Sequence, residues 1–217
     1  ELCATNAAAV IINAADAAHY QGVKLISSNP RFVLAKISVY FAYEPNLKGV
    51  ATSAVIGDGC DIDPDVVIGA NAVVGNNVVL AAGVCVGAGC VIDDYVKIGV
   101  GTELKPNVTI MHHVEVGSNC IFHSGSIIGS DGLGYAFEAG QWQKIEHLGA
   151  VVIGDNVDIG AATSIDRGTL GNTIIQNGAK LDNQIQIGHN VEIGSYTIIA
   201  GAAAIAGSAK IGSYCQI

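Results

Sequence analysis

The feature that most limits the fold of this chain is a spacing of six residues. From Val50 to Ile128 an aliphatic or aromatic residue stands at every sixth position without an exception. The same spacing returns further along and, after a shift of four residues near positions 169–172, continues from Ile175 to Ile217. A period of six fits neither the 3.6-residue turn of an α-helix nor the two-residue alternation of one long strand. The chain must therefore be built from short segments joined by regular corners.

Short strands separated by tight corners satisfy this spacing. Three six-residue units make one coil of 18 residues, and the repeat residues point inward and stack on the next coil about 4.8 Å away. Small residues four positions later, such as Ala54 and Cys60, share the interior. Glycine often follows the repeat residue, as at Gly57 and Gly69, and we expect it to supply the corner backbone. The predicted fold is mainly β, a parallel β-helix of hexapeptide repeats.

The repeat divides the chain into regions. Residues 1–49 lack it and contain short apolar runs and a turn signal at positions 27–30, which predicts a small N-terminal α/β domain. Glu44-Pro45-Asn46 resembles a junction, and residues 50–217 form the β-helix, interrupted by an irregular loop at 129–152. Because the chain starts without Met and ends on a repeat residue with no cap, we expect it to continue at both ends.

Charge and cysteine usage exclude several classes of protein. The formal net charge is −9, which argues against general binding of nucleic acid or anionic membranes. No run of 18 apolar residues is free of glycine and polar breaks, so no membrane span is predicted. There are six cysteines and no CxxC motif, which argues against a zinc ribbon and fits a reducing cytoplasm. Four of them occupy inward small positions and are interpreted as core residues: Cys60, Cys90, Cys120 and Cys215.

His189 is the most informative of the six histidines. It stands third in its hexad, pointing outward at the edge of a flat face, and the residue one coil later is Gly207. An imidazole base beside a backbone N–H is the minimum arrangement for acyl transfer to an amine or a hydroxyl. Arg167 is expected on the other side of His189, and Asp182 or Asn183 could orient the ring. The spacing alone also permits an ordinary solvated surface histidine.

The sequence also bears on a metal site and on a purely structural β-helix. An open zinc site on a β-helix needs three neutral imidazoles, and no two histidines here are five positions apart, so no metal site is predicted. His123 could line a cleft or a subunit contact. A purely structural β-helix would present regular outward threonine ladders, whereas the outward positions here are irregular, with Asp58, Pro64 and Asn76.

Several segments carry a closer resemblance. They are FHSGSIIGSDG at 122–132, IDRG at 165–168, LDNQ at 181–184, QIGHN at 186–190 and AGS at 206–208. In this order they resemble the UDP-3-O-acylglucosamine N-acyltransferases of lipid A biosynthesis, and the resemblance extends to the SNP stretch at 28–30.

The resemblance implies a left-handed parallel β-helix, although the general preference for right-handed crossovers would predict the other hand. It implies a uridine-binding N-terminal domain and a cytoplasmic homotrimer with active sites between subunits. It further implies transfer of an (R)-3-hydroxyacyl chain to the 2-amino group of a UDP-3-O-acyl-glucosamine. The donor would be the phosphopantetheine of acyl carrier protein, with no other cofactor.

Individual roles follow from the same resemblance. His189 corresponds to the general base, the Gly207 amide to the oxyanion donor, Asn29 to a uracil-contacting residue and Phe32 to an aromatic residue that stacks on uracil. Leu133 stands where the family commonly has Phe. The alternatives are a related O-acyltransferase acting on UDP-GlcNAc, an acetyl-CoA-dependent sugar acetyltransferase, and a β-helix scaffold without catalysis.

Overall fold

The computed structural model of the protein describes residues 4–43 and 48–217. The chain divides into two compact units, Glu1–Asn46 and Leu47–Ile217. The predicted junction at Glu44-Pro45-Asn46 lies outside the described residues.

The N-terminal unit is a small α/β arrangement. Its elements are β1 (Val10–Ile12), a 3₁₀ turn (Ala17–His19), β2 (Lys24–Ile26), α1 (Pro30–Ser38) and a second 3₁₀ turn (Val39–Phe41). Strands β1 and β2 pair in parallel. Helix α1 begins after Asn29, whose side chain accepts a hydrogen bond from the Phe32 N–H at 3.1 Å. Pro30 at the first helical position is favourable because its missing N–H would have no partner there. In the part of the chain that is described, no helix is long and apolar enough to cross a membrane.

The larger unit consists of three parallel sheets that the chain visits in turn, with strands numbered in chain order. The first face holds β3 (Val55–Ile56), β6 (Val73–Val74), β9 (Val91–Ile92), β12 (Thr109–Ile110), β15 (Ile127–Ser130), β20 (Ser164–Asp166), β23 (Gln186–Ile187) and β26 (Ala204–Ile205). The second face holds β4 (Asp61–Ile62), β7 (Val79–Leu80), β10 (Lys97–Ile98), β13 (Glu115–Val116), β18 (Val151–Ile153), β21 (Thr173–Ile175), β24 (Glu192–Ile193) and β27 (Lys210–Ile211). The third face holds β5 (Val67–Ile68), β8 (Cys85–Val86), β11 (Glu103–Leu104), β14 (Ile121–Phe122), β19 (Asp158–Ile159), β22 (Lys180–Leu181) and β25 (Ile198–Ile199). A hairpin of β16 (Tyr135–Glu138) and β17 (Gln141–Lys144) stands apart from the three faces.

The repeat residues form the core. Along the first face Ile56 pairs with Val74 and Val74 with Ile92, so each partner stands 18 positions away. From Ile68 to Ile199 the repeat residues are buried, and Phe122 has no exposed surface at all. The fold predicted from the period, a mainly β protein built as a parallel β-helix of hexapeptide repeats with a small α/β unit, is confirmed.

The corners correct one expectation about glycine. The glycine after the repeat residue was expected to supply the corner backbone, yet the left-handed backbone falls two residues later, at Asn71 (φ 58°) and Asn77 (φ 55°) among others. Asparagine is one of the few residues with a side chain that adopts this conformation readily. Gly57 is required for a different reason: a Cβ there would lie 2.7 Å from the backbone of Gly75 in the next coil. These glycines permit close stacking of the coils.

The inward small positions do more than fill space. Several carry a hydroxyl or thiol that donates to a carbonyl of the following coil: Cys90 to Lys105 (3.2 Å), Thr102 to Gly117 (2.9 Å), Cys120 to Gly154 (3.1 Å), Thr163 to Asp182 (2.7 Å) and Thr197 to Gly212 (2.7 Å). Burial raises the pKa of the Cys90 and Cys120 thiols, which keeps them protonated as donors. Cys90 and Cys120 are buried core residues, as predicted, and they also bridge coils, whereas Cys60 and Cys215 are only partly buried.

Replacing Thr163 by valine tests this bridge. Thr163 is 1% exposed, and its hydroxyl also accepts from the Ile185 N–H at 3.1 Å. Valine keeps the shape but removes the partner of the Asp182 carbonyl and of the buried Ile185 N–H, so we expect the free energy of unfolding to fall by about 1–3 kcal/mol. Urea unfolding measures this. The control is Thr109→Val, because the Thr109 hydroxyl has no hydrogen-bond partner within residues 4–43 and 48–217. Equal stability of the two variants would contradict the bridging role.

Candidate active site

Two departures from the regular repeat stack at one corner of the β-helix. Ile121 pairs with Asp158, 37 positions later instead of 18, which leaves 19 extra residues between them. Asp158 pairs with Lys180, 22 positions later, which leaves four extra. The next pairing, Lys180 with Ile198, is regular again. The extra residues follow β15 and β20, both at the corner between the first and second faces, and His189 follows β23 at the same corner. We call it the loop corner.

The 19-residue insertion contains the β16–β17 hairpin, and ion pairs connect the segments on either side of it. In the hairpin, the rings of Phe137 and Trp142 pack 5.0 Å apart. Lys144 Nζ bridges Asp131 (2.6 Å) and Glu146 (2.9 Å), and the hydrogen bond from Lys144 lowers the pKa of Asp131. The last residues of the insertion are hydrogen-bonded to the segment that contains the four additional residues. The Leu148 N–H donates to Thr169 O at 2.8 Å, and the Gly149 N–H donates to Gly168 O at 3.0 Å.

His189 lies directly against Gly207. A Cβ on Gly207 would stand 2.7 Å from His189 Nε2, so only glycine leaves room for the ring. At regular coils of the same corner the residue one coil later instead caps the backbone: Asn76 accepts from the Asp58 N–H, and Asp94 from the Asn76 N–H. This capping pattern is not repeated at His189, because the residue one coil later is Gly207 and the imidazole of His189 fills the space that its side chain would take.

Asn190 fixes the tautomer of His189. The Thr169 N–H donates to Asn190 Oδ1 at 2.9 Å, and Asn190 Nδ2 donates to Gly171 O at 3.2 Å, which sets the orientation of the amide. His189 Nδ1 lies 3.0 Å from the same Oδ1 and must therefore donate to it. In the neutral ring Nε2 is then the nitrogen without a proton, and it lies on the Gly207 side, as a general base requires. The sequence interpretation missed this role because asparagine at the fourth hexad position is an ordinary corner residue elsewhere.

Arg167 does not flank His189 as expected. It is 2% exposed and extends along the two preceding coils: Nε donates to Gly129 O at 2.7 Å in the first, and the terminal nitrogens donate to His112 O and His112 Nε2, each at 2.8 Å, in the second. Burial first, and the nearby guanidinium second, lower the pKa of His112. The chain leaves the coil at Gly129 to form the insertion, and Arg167 holds that exit in place.

Asp182 and His189 lie at different corners. The Asp182 carboxylate accepts from the Gly201 N–H at 3.1 Å and makes no contact with His189 within one chain. With His123 and Lys180 it lines a cleft of about 890 Å³ next to the third face.

The two residues suggested for uridine lie in the N-terminal unit. Asn29 uses its side-chain oxygen to cap α1, and Phe32 is 58% exposed, with Lys36 Nζ 5.4 Å from its ring centre. No group of three or more His, Cys, Asp or Glu side chains within residues 4–43 and 48–217 is arranged to hold a metal ion.

Asp166 lies at the loop corner near His189. It accepts hydrogen bonds from Ser130 Oγ and Gln186 Nε2, each at 3.1 Å. Burial raises the pKa of its carboxyl group, and these two hydrogen bonds together with the nearby imidazoles of His147 and His189 act in the opposite direction.

The fold defines a hexapeptide-repeat protein. Residues 53–88 and 95–130 match the bacterial transferase hexapeptide family (six repeats). Among solved structures, LpxA from Acinetobacter baumannii superposes with a TM-score of 0.59 at 23% identity, covering 77% of this chain and 56% of that one. A UDP-N-acetylglucosamine acyltransferase gives a TM-score of 0.58 at 26% identity, covering 78% and 57%.

Sequence relatives narrow the class. The chain is 50% identical over 200 residues to the UDP-3-O-acylglucosamine N-acyltransferase of Leptothrix cholodnii, covering 87% of this chain and 56% of the relative. It is 46% identical to the protein of that name from Pseudomonas fluorescens SBW25, covering 84% and 52%. Over most of its length the chain is thus similar to the UDP-3-O-acylglucosamine N-acyltransferases, and it spans about half the length of these relatives.

Proposed function

We propose that the protein transfers an (R)-3-hydroxyacyl chain from acyl carrier protein to the 2-amino group of a UDP-3-O-acyl-glucosamine, in the cytoplasmic synthesis of lipid A. The observation that carries the proposal is the tautomer of His189, which in the neutral ring places the nitrogen without a proton against Gly207. The similarity to proteins named UDP-3-O-acylglucosamine N-acyltransferase supports the choice of an amine acceptor.

The reaction needs no covalent enzyme intermediate. The 2-amino nitrogen attacks the thioester carbonyl carbon, a C–N bond forms, and His189 Nε2 takes the proton of the amine. The carbonyl oxygen becomes an oxyanion facing the Gly207 N–H. The C–S bond then breaks, the proton passes from His189 to the departing thiolate, and an amide and a free thiol remain. A base of this kind contributes about 10²–10⁴ in rate, and one oxyanion donor about 10²–10³.

We further propose that active sites lie between neighbouring copies in a homotrimer. Within one chain Asp182 and His123 line a cleft remote from His189, so a contribution of Asp182 to the same site requires a second copy. The uridine would be held by Asn29 and Phe32. The UDP-GlcNAc O-acyltransferase is the second candidate, because solved structures with this name share the fold.

A transfer assay on the complete protein tests the proposal. Hydroxyacyl carrier protein is paired with UDP-3-O-acyl-glucosamine, and UDP-GlcNAc serves as the matched acceptor because its 2-amino group is blocked. We expect an amide product with the first acceptor and none with the second. Transfer to the 3-hydroxyl of UDP-GlcNAc would instead assign the O-acyltransferase reaction, and failure with both acceptors would reject the proposal.

A further inference from the structure

His147, near the end of the insertion, is a buried imidazole without partners. The side chain is 6% exposed, and neither Nδ1 nor Nε2 forms a hydrogen bond within residues 4–43 and 48–217. Buried polar atoms are paired in the great majority of cases, and an unpaired one is costly. An apolar aromatic side chain would fill this place without that cost. The two ring nitrogens of His147 therefore call for a functional explanation.

The position of His147 connects it with the proposed base. The rings of His147 and His189 meet edge to face, with centroids 5.7 Å apart and planes at 71°. A Cβ on Gly132 would lie 3.3 Å from His147 Nε2, 3.2 Å from Asp166 Oδ2 and 3.3 Å from His189 Cβ. The space beside Gly132, which we call the glycine notch, is thus bordered by an imidazole nitrogen, a carboxylate and the residue of the base.

Glycine is required on two sides of the His147 ring. A Cβ on Gly134 would come within 2.7 Å of His147 Cε1, so a side chain there would displace the imidazole. Gly132 keeps the notch in front of Nε2 free of a side chain. The insertion therefore brings a histidine to the loop corner and supplies the two glycines that accommodate it.

We propose that His147 binds a hydroxyl group of the substrates through the glycine notch. Nε2 is the ring nitrogen at the notch; it is a donor or an acceptor according to the tautomer, and a hydroxyl group can pair with either. This inference rests on the proposed function, which supplies hydroxyl groups from two sources: the 3-hydroxyl of the acyl donor, two carbons from the reacting carbonyl, and the free hydroxyls of the sugar. His147 would contribute to binding and specificity, while proton transfer stays with His189.

Two substitutions separate hydrogen bonding from packing. His147→Phe keeps an aromatic ring against His189 and removes both nitrogens, whereas His147→Gln removes the ring and keeps a donor and an acceptor. We expect His147→Phe to lower kcat/KM by roughly tenfold to a hundredfold, the size of one lost hydrogen bond in a buried site. His147→Gln should recover most of this loss. A phenylalanine variant within twofold of wild type, or no recovery by glutamine, would overturn the proposal.

The choice of acyl donor identifies the hydroxyl. If His147 binds the donor hydroxyl, His147→Phe loses activity with 3-hydroxyacyl carrier protein and not with the unsubstituted acyl carrier protein. If it binds a sugar hydroxyl, the loss is the same with both donors. Either result, together with recovery by glutamine, supports the proposal.

A binding measurement keeps this test separate from the reaction itself. The ¹⁵N resonances of the His147 ring, assigned by their disappearance in His147→Gln, are followed while each substrate is added to wild-type protein. A shift that saturates supports the proposal even where His189→Ala or the transfer assay speaks against the assigned chemistry. Resonances unchanged by both substrates would overturn it.

Discussion

His189→Ala is expected to lower kcat for acyl transfer by about 10²–10⁴, because it removes the proposed base, whose Nδ1 lies 3.0 Å from Asn190 Oδ1 and whose Nε2 lies against Gly207. The ring is half-buried at a corner and contributes little to the core, so the melting temperature should change by no more than a few degrees. Single-turnover kinetics with saturating donor separates this loss from a change in substrate binding.

The matched control removes another histidine from the neighbouring surface. His113 is exposed, stacks on Tyr95 with ring centres 4.9 Å apart, and has a left-handed backbone with φ 61°. Asparagine adopts this backbone readily, so His113→Asn should keep both fold and turnover. Turnover of His189→Ala close to that of the control would reject His189 as the base.

Phe122→Ala should have the largest effect on stability, a loss of about 3–5 kcal/mol in the free energy of unfolding. Phe122 has no exposed surface, and it is an aromatic residue in a core column of aliphatic ones, stacked between Leu104 and Ile159. Its removal leaves a cavity that the neighbouring coils cannot close, because each coil is fixed by its backbone hydrogen bonds to the next. Guanidinium unfolding measures the change.

The same substitution at Phe137 is the control. Phe137 lies in the hairpin, is 58% exposed and contacts Trp142. We expect Phe137→Ala to change the free energy of unfolding by no more than about 0.5 kcal/mol, as is usual for surface positions. Comparable losses in the two variants would contradict the assignment of Phe122 to the core.

The core could be predicted from the sequence because its rule is local. Two residues in every six face inward, and the four-residue shift at 169–172 displaces the pattern by the amount seen in the pairing of Asp158 with Lys180. The stacking of Gly207 on His189 followed from the same count of 18. These features depend only on spacing, which the sequence displays directly.

The rest of the loop corner could not be predicted by counting. Arg167 occupies the expected position in its column, yet its side chain turns to His112 because the insertion leaves the coil at Gly129. His147 reaches His189 only through the path of a 19-residue hairpin that has no period. Asn190 shares its hexad position with asparagines that serve as plain corner residues, so its contact with the imidazole depends on the backbone of Thr169.

The placement of both irregular segments at one corner has an evolutionary consequence. In the hexads a single inserted or deleted residue would turn every following inward side chain toward solvent, so only whole coils can be gained or lost there. At the loop corner, 19 and four additional residues enter while the strands on either side remain paired. Changes in length are therefore tolerated where they alter the residues around His189, and the recognition of new substrates can diverge while the column of coils stays constant.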